Sequence, residues 1–253
     1  VPTFLSHDNT SIHYAKGGRG KRWLIAIHGA GSNHTTWLNS LNGLSGVRWL
    51  AFDTRAHGKS NGLPDVQKSA ADIIALADKE GIRHFSVAGI CYGGTMALEA
   101  ARRYPDRVDN VVVVSPFDRG LVAGTGIVRA VCKVVGGVFG NIPTRKRLAY
   151  VDYCEKPSVP YLLTWFEDLQ GIHTKHYATA AIQSIDFPTD FRITQPLLVI
   201  SGRKDYFLRH KELHKRLLVH GHYRWVEVPC NHHILTWQSE RAARLINAFL
   251  ESR

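Results

Sequence analysis

Five short apolar runs place the tightest limit on what this chain can fold into. Residues 23–27, 47–52, 85–90, 111–114 and 197–200 are of strand length, rich in Val and Ile, and lack a polar face. Strands of that kind are buried on both sides, as in a parallel sheet, and parallel neighbours need long crossovers rather than tight hairpins. Helical periods lie between them. Val66, Ala70, Ile73, Ile74 and Ala77 share one helical face and stop at Gly81; Ala242, Leu245, Ile246, Phe249 and Leu250 repeat the pattern near the end. The alternation predicts an α/β fold, a mostly parallel central sheet flanked by helices. An opening pair, 3–6 and 11–14, flanks Asp8-Asn9 and predicts a hairpin. No internal repeat is visible.

The rhythm breaks between 117 and 191, a stretch too long for one crossover. Its apolar segment 121–139 carries Arg129 and Lys133 one turn apart and is interrupted by Gly136-Gly137, which suits a lid helix better than a membrane span. Aromatics follow, among them Tyr153, Trp165 and Phe166. We expect a helical cap at 117–191, inserted between core halves 1–116 and 192–253. It would cover the carboxyl edge of the sheet, where open α/β folds bind ligands, with Trp165 as a candidate pocket wall.

Composition narrows the partners. Four cysteines without paired spacing argue against a disulfide framework or zinc ribbon. With no signal-peptide pattern at the start, a reducing, cytoplasmic setting is expected. The net charge of +11 favours anionic partners, coenzyme A or an acidic acyl carrier among them. The densest cluster is only Arg145-Lys146-Arg147, and no nucleic-acid-binding motif is present, so nucleic acid is not expected. His210 and His214 sit one turn apart but without the zincin Glu, and the Gly-rich stretches at 17–20 and 136–140 do not follow strands. Neither a metal nor a cofactor is implied.

The chemistry gathers at Gly89-Ile90-Cys91-Tyr92-Gly93-Gly94, a strand end running directly into a helix. A nucleophile held on so sharp a turn needs tiny neighbours two residues to either side, and Gly89 and Gly93 stand there. The helix that follows aims its N-terminus at Cys91, which favours thiolate. Earlier, the strand at 23–27 enters His28-Gly29-Ala30-Gly31-Ser32, a loop able to supply one oxyanion donor. The candidate donors are the backbone N–H groups of Ala30 and Tyr92, with His28 a candidate for the pocket wall.

In this order, and with Asp53-Thr54-Arg55-Ala56-His57-Gly58-Lys59-Ser60 between the two, the chain resembles the α/β-hydrolase superfamily over nearly its whole length. The segment 53–60 is similar to that family's D-x-R-G-x-G-x-S loop, with Ala56 in place of a Gly. Cys91 stands where most members carry Ser; in that respect the elbow resembles those of dienelactone hydrolases and polyhydroxyalkanoate synthases. The resemblance implies a nucleophile, then an acid, then a base. Asp205, after the strand at 197–200, is the expected acid, with Asp118 as the alternative. The base should follow Pro229: His233 is the expected one, and His232 would line the site. The implied activity is hydrolysis of an ester, lactone or thioester through an acyl-Cys91 intermediate on a small-molecule acyl substrate. Two alternatives stay open: an acyltransferase using a thioester donor, and a non-catalytic ligand receptor on the same fold.

Overall fold

The computed structural model describes residues 2–116, 192–205 and 222–252. The expected cap at 117–191, with Trp165 and Asp118, lies outside the described residues. In chain order the strands are β1 (Thr3–Leu5), β2 (Ser11–Gly18), β3 (Arg22–Ile27), β4 (Val47–Phe52), β5 (Phe85–Ile90), β6 (Val108–Val114), β7 (Leu197–Gly202) and β8 (Tyr223–Val228). The helices are α1 (Thr35–Asn42), α2 (Val66–Lys79), α3 (Tyr92–Arg103), α4 (Ile234–Trp237) and α5 (Ser239–Glu251). The strands form one eight-stranded sheet in the order β1-β2-β4-β3-β5-β6-β7-β8. β1 and β2 pair antiparallel, β2 pairs antiparallel with β4, and every pairing from β4 to β8 is parallel.

The five apolar runs are buried on both faces because each face has its own layer. Ile25, Ile27, Val87, Val111, Val113 and Val199 pack with Ile73 of α2 and Met96 and Ala100 of α3. Their neighbours in sequence, Leu24, Ala26, Ala88, Ile90, Val112 and Ile200, turn to the opposite side and meet Trp37 of α1 and Ile246 and Phe249 of α5. This is the period of two that any strand imposes, here with apolar residues in both phases. Burying each such Val, Ile or Phe side chain contributes about 1.5–3 kcal/mol.

The hairpin forms around Asn9, whose φ is 60°, but β2 continues to Gly18, so the glycine stretch at 17–20, expected not to follow a strand, begins inside one. The indole of Trp49 on β4 lies against this end of β2, and a Cβ at Gly17 would collide with its ring. The glycines let the two strands approach. In the loop after β4, Ala56 has a φ of 63°, a left-handed conformation that explains why a Gly is usual there. Its neighbour Arg55 is buried, donating from Nε to Asp72 Oδ2 at 2.7 Å and from Nη1 to Asp8 Oδ2 at 2.8 Å, which ties α2 to the hairpin. Among the described residues, no helix is long and apolar enough to cross a membrane.

Candidate active site

Parallel strands all end at one edge of the sheet. The loops after β3, β5, β7 and β8 bring His28, Cys91, Asp205 and His232 to that edge.

At the end of β5 the chain turns at Cys91 with φ 53° and ψ −117° and enters α3 at once. A non-glycine residue held there carries strain of about 1–3 kcal/mol, so its surroundings must enforce it. They do so by close approach. A Cβ at Gly89 would collide with the Gly93 carbonyl, and one at Gly93 with the carbonyls of Ile27 and His28. The Cys91 N–H donates to Val114 O at 3.0 Å, and Cys91 O accepts from Gly94 N at 2.9 Å, opening the helix. The thiol is half-buried.

Beside it runs the loop after β3. Gly29 packs directly on Cys91: a Cβ there would lie 3.4 Å from Cys91 Cβ. The turn closes with Ser32 N donating to Gly29 O at 3.3 Å, and Gly31 takes a φ of 72°. His28, expected to line the pocket, instead braces the loop. It is fully buried, with Nδ1 2.7 Å from Gly29 O and Nε2 accepting from Thr54 N at 2.9 Å. Both ring nitrogens are engaged in holding the loop.

The loops after β7 and β8 are fastened together. Arg203 N donates to Val228 O at 2.8 Å and Lys204 N to Cys230 O at 3.0 Å. Gly202 approaches the 230–231 backbone so closely that a Cβ would strike the carbonyls of Cys230 and Asn231. Ser115, just past β6 with a φ of 44°, donates from Oγ to His232 O at 2.9 Å. Sequence reasoning missed Ser115, and nothing local in the sequence marks it.

This fastening decides which imidazole meets Asp205. His232, not His233, sits on Asp205, with Nδ1 2.8 Å from Oδ2, and the Cys91 side chain lies within hydrogen-bond reach of the same ring. The expected pairing of His233 with Asp205 is therefore corrected. His233 is exposed and N-caps α4; its backbone N–H bonds Asn231 Oδ1 at 2.9 Å, and its ring stands edge-on to that of His232. Adjacent side chains point in different directions, and the fastened 228–232 backbone turns the first of the pair inward. Burial works against the His232 cation, but the Cys91 sulfur and the Asp205 carboxylate outweigh it and push its pKa up to about 10.

Away from Cys91, His13, His34 and Asp53 bring three possible metal-ligating atoms within 4.8 Å of one another. Four N–H groups already take up this carboxylate. Oδ1 accepts from His34 N and Nδ1 at 2.8 and 2.7 Å, and Oδ2 from His13 Nδ1 and Lys59 N, both at 2.9 Å. Burial raises the Asp53 pKa, yet the His13 and His34 hydrogen bonds win and hold it far below the usual carboxylate range. The group acts as a hydrogen-bond hub.

Known proteins resemble this chain in sequence and fold. A stretch of 127 residues is 30% identical to a dihydrolipoyllysine-residue acetyltransferase component of an acetoin cleaving system from Cupriavidus necator, covering 49% of this chain but only 34% of that one. The match to 3-oxoadipate enol-lactonase 2 of Acinetobacter baylyi is 28% identical and spans 79% of this chain and 78% of the relative. The crystal structure of the enol-lactonase from Burkholderia xenovorans LB400 superposes with a TM-score of 0.79 at 20% identity, over 99% of this chain and 100% of that one, which speaks to the fold. The sequence profile of the alpha/beta hydrolase family matches residues 24–248, from within β3 into α5, and takes in every loop of the site. With the sheet order and the sharp turn at Cys91 in agreement, this chain belongs to the alpha/beta hydrolase family.

Proposed function

We propose that this protein is a hydrolase that cleaves an ester, lactone or thioester through an acyl-Cys91 intermediate. One observation carries the reading: His232 has Nδ1 on Asp205 at 2.8 Å while the same ring reaches the sulfur at the strained turn. Asp205 fixes the imidazole tautomer, leaving Nε2 to take the Cys91 proton. The raised His232 pKa lets the ring keep that proton beside the sulfur.

The thiolate then adds to the substrate carbonyl, and the oxyanion is received by the N–H groups of Ala30 and Tyr92. Collapse of the adduct expels the alcohol, enol or thiol, which takes its proton from His232. A water then gives a proton to His232 and adds to the thioester; collapse releases the acid and restores the Cys91 thiolate beside the imidazolium. A thiolate is as good a leaving group as it is a nucleophile, so activated acyl donors suit it better than amides. The enol-lactonase among the relatives acts on an acyl group of that activated kind, and its match supports the lactone end of the range.

The test is intact-protein mass spectrometry after exposure to a panel of acyl thioesters and lactones, with Cys91→Ala alongside. An acyl increment on Cys91 and turnover lost by at least about 10³-fold in the variant are expected. Undiminished turnover in Cys91→Ala would overturn the reading. Running the panel with amine and alcohol acceptors separates hydrolysis from acyl transfer: turnover that requires the acceptor would replace hydrolase by acyltransferase.

A further inference from the structure

We propose that His34, acting through Asp53, is a positioning residue for the oxyanion hole; the proposal rests on the acyl-Cys91 reading above. The segment 28–34 carries Ala30 past the nucleophile, and both of its ends are tied to consecutive residues at the end of β4. At one end His28 accepts from Thr54 N at 2.9 Å. At the other, His34 donates to Asp53 Oδ1 twice, from its backbone N–H at 2.8 Å and from Nδ1 at 2.7 Å. Asp53 is an immobile anchor. It is fully buried, its Oδ2 accepts from His13 and Lys59, its N–H donates to His13 O at 2.8 Å, and its carbonyl accepts from Ser60 Oγ at 2.7 Å.

The consequence for catalysis follows from peptide geometry. The Gly29 carbonyl and the Ala30 N–H belong to one trans peptide plane and point in opposite directions. His28 Nδ1 and Ser32 N hold the Gly29 oxygen on one side, so the Ala30 N–H is directed to the other. Ser32 lies two residues before His34, and the Ser32–Gly29 turn keeps its orientation only while its far end is fixed. The His34 imidazole supplies that fixing with one of its two bonds to Asp53 Oδ1. An oxyanion donor works only when aimed in advance, and displacement by about 1 Å costs on the order of 10²-fold.

His34→Ser removes the imidazole donor while keeping a good N-cap residue for α1, and His34→Asn returns a side-chain N–H where Nδ1 stood. Two reactions of Cys91 are to be compared in each variant. Acylation by p-nitrophenyl acetate, followed as p-nitrophenol release, builds an oxyanion; alkylation by iodoacetamide is a displacement at carbon and builds none. His34→Ser is expected to slow the maximal acylation rate by roughly 10–100-fold, with half-saturation and the alkylation rate held within about twofold; His34→Asn recovers most of the acylation rate. Acylation at the wild-type rate in His34→Ser overturns the proposal. So does a parallel loss of acylation and alkylation, which would mark general damage to the site. Cys91→Ala keeps the two readings apart: p-nitrophenol release that survives in it brings down the acyl-Cys91 reading and this proposal together, whereas an inactive Cys91→Ala beside an unaffected His34→Ser brings down this proposal alone.

Discussion

Asp53 and Asp205 are both buried carboxylates that accept a hydrogen bond from an imidazole Nδ1, yet they do different work. Around Asp53 four N–H donors converge, two to each oxygen, and the far nitrogen of His13 is buried with no partner among the described residues. The ring bonded to Asp205 instead continues to the Cys91 sulfur. A His–Asp contact is thus not a catalytic signature. What distinguishes the two is where the second ring nitrogen leads, and that depends on which loops the sheet edge gathers.

The largest effect should fall on the inward-facing imidazole. His232→Ala is expected to lower turnover by about 10³–10⁴-fold, as loss of a triad base does. His233→Ala, with its ring exposed against that of His232, should stay within about threefold. Steady-state kinetics on the best substrate of the panel checks both. A reversal of the two would restore the pairing expected from the sequence and dissolve the contrast between the two carboxylates.

Next in size is the loss of the hub. In Asp53→Asn one amide end must face N–H donors, either those of His34 or those of His13 and Lys59, leaving buried donors unpaired. A stability loss of about 3 kcal/mol is expected, measured by urea denaturation. Asp53→Asn with unchanged stability would show that these four bonds only accompany the fold.

The parts that could be read from the sequence were those governed by local pattern. Residues 47–52 and 85–90 are strands to the residue, because Gly46 and Asp53 bound the first run, and His84 and the sharp turn at Cys91 bound the second. The Gly-x-Cys-x-Gly spacing likewise encodes its own close contacts. Non-local contacts were not readable. His13 meets Asp53 across 40 residues, and Ser115 meets His232 across 117. The choice between His232 and His233 failed for the same reason: counting from Pro229 cannot see that Lys204 and Gly202 grip the backbone at 230–231. The glycines at 17–18 misled because their neighbour, Trp49, lies on another strand.

The smallest effect, a difference in pH response, separates the two carboxylates from opposite sides. Asp53 has a depressed folded-state pKa, so its contribution to stability is present above its unfolded value near 3.8 and is lost as pH falls below it. His232 has a raised one, so its contribution is complete below about 6.5 and is lost as pH rises through about 10. Thermal melts between about pH 3 and pH 7.3, less than one unit beyond each unfolded value, should therefore show two shoulders of different origin. Relative to wild type, Asp53→Asn should flatten the acid shoulder alone and His232→Asn the alkaline one alone, each by the equivalent of about 1 kcal/mol, or roughly 2–4 °C. The His232 shoulder should also shrink in Cys91→Ala, since the charge on the sulfur does most to raise this imidazole. If removing the sulfur leaves the alkaline shoulder intact, His232 is held charged by Asp205 alone, and the two His–Asp pairs are closer in kind than their geometry suggests.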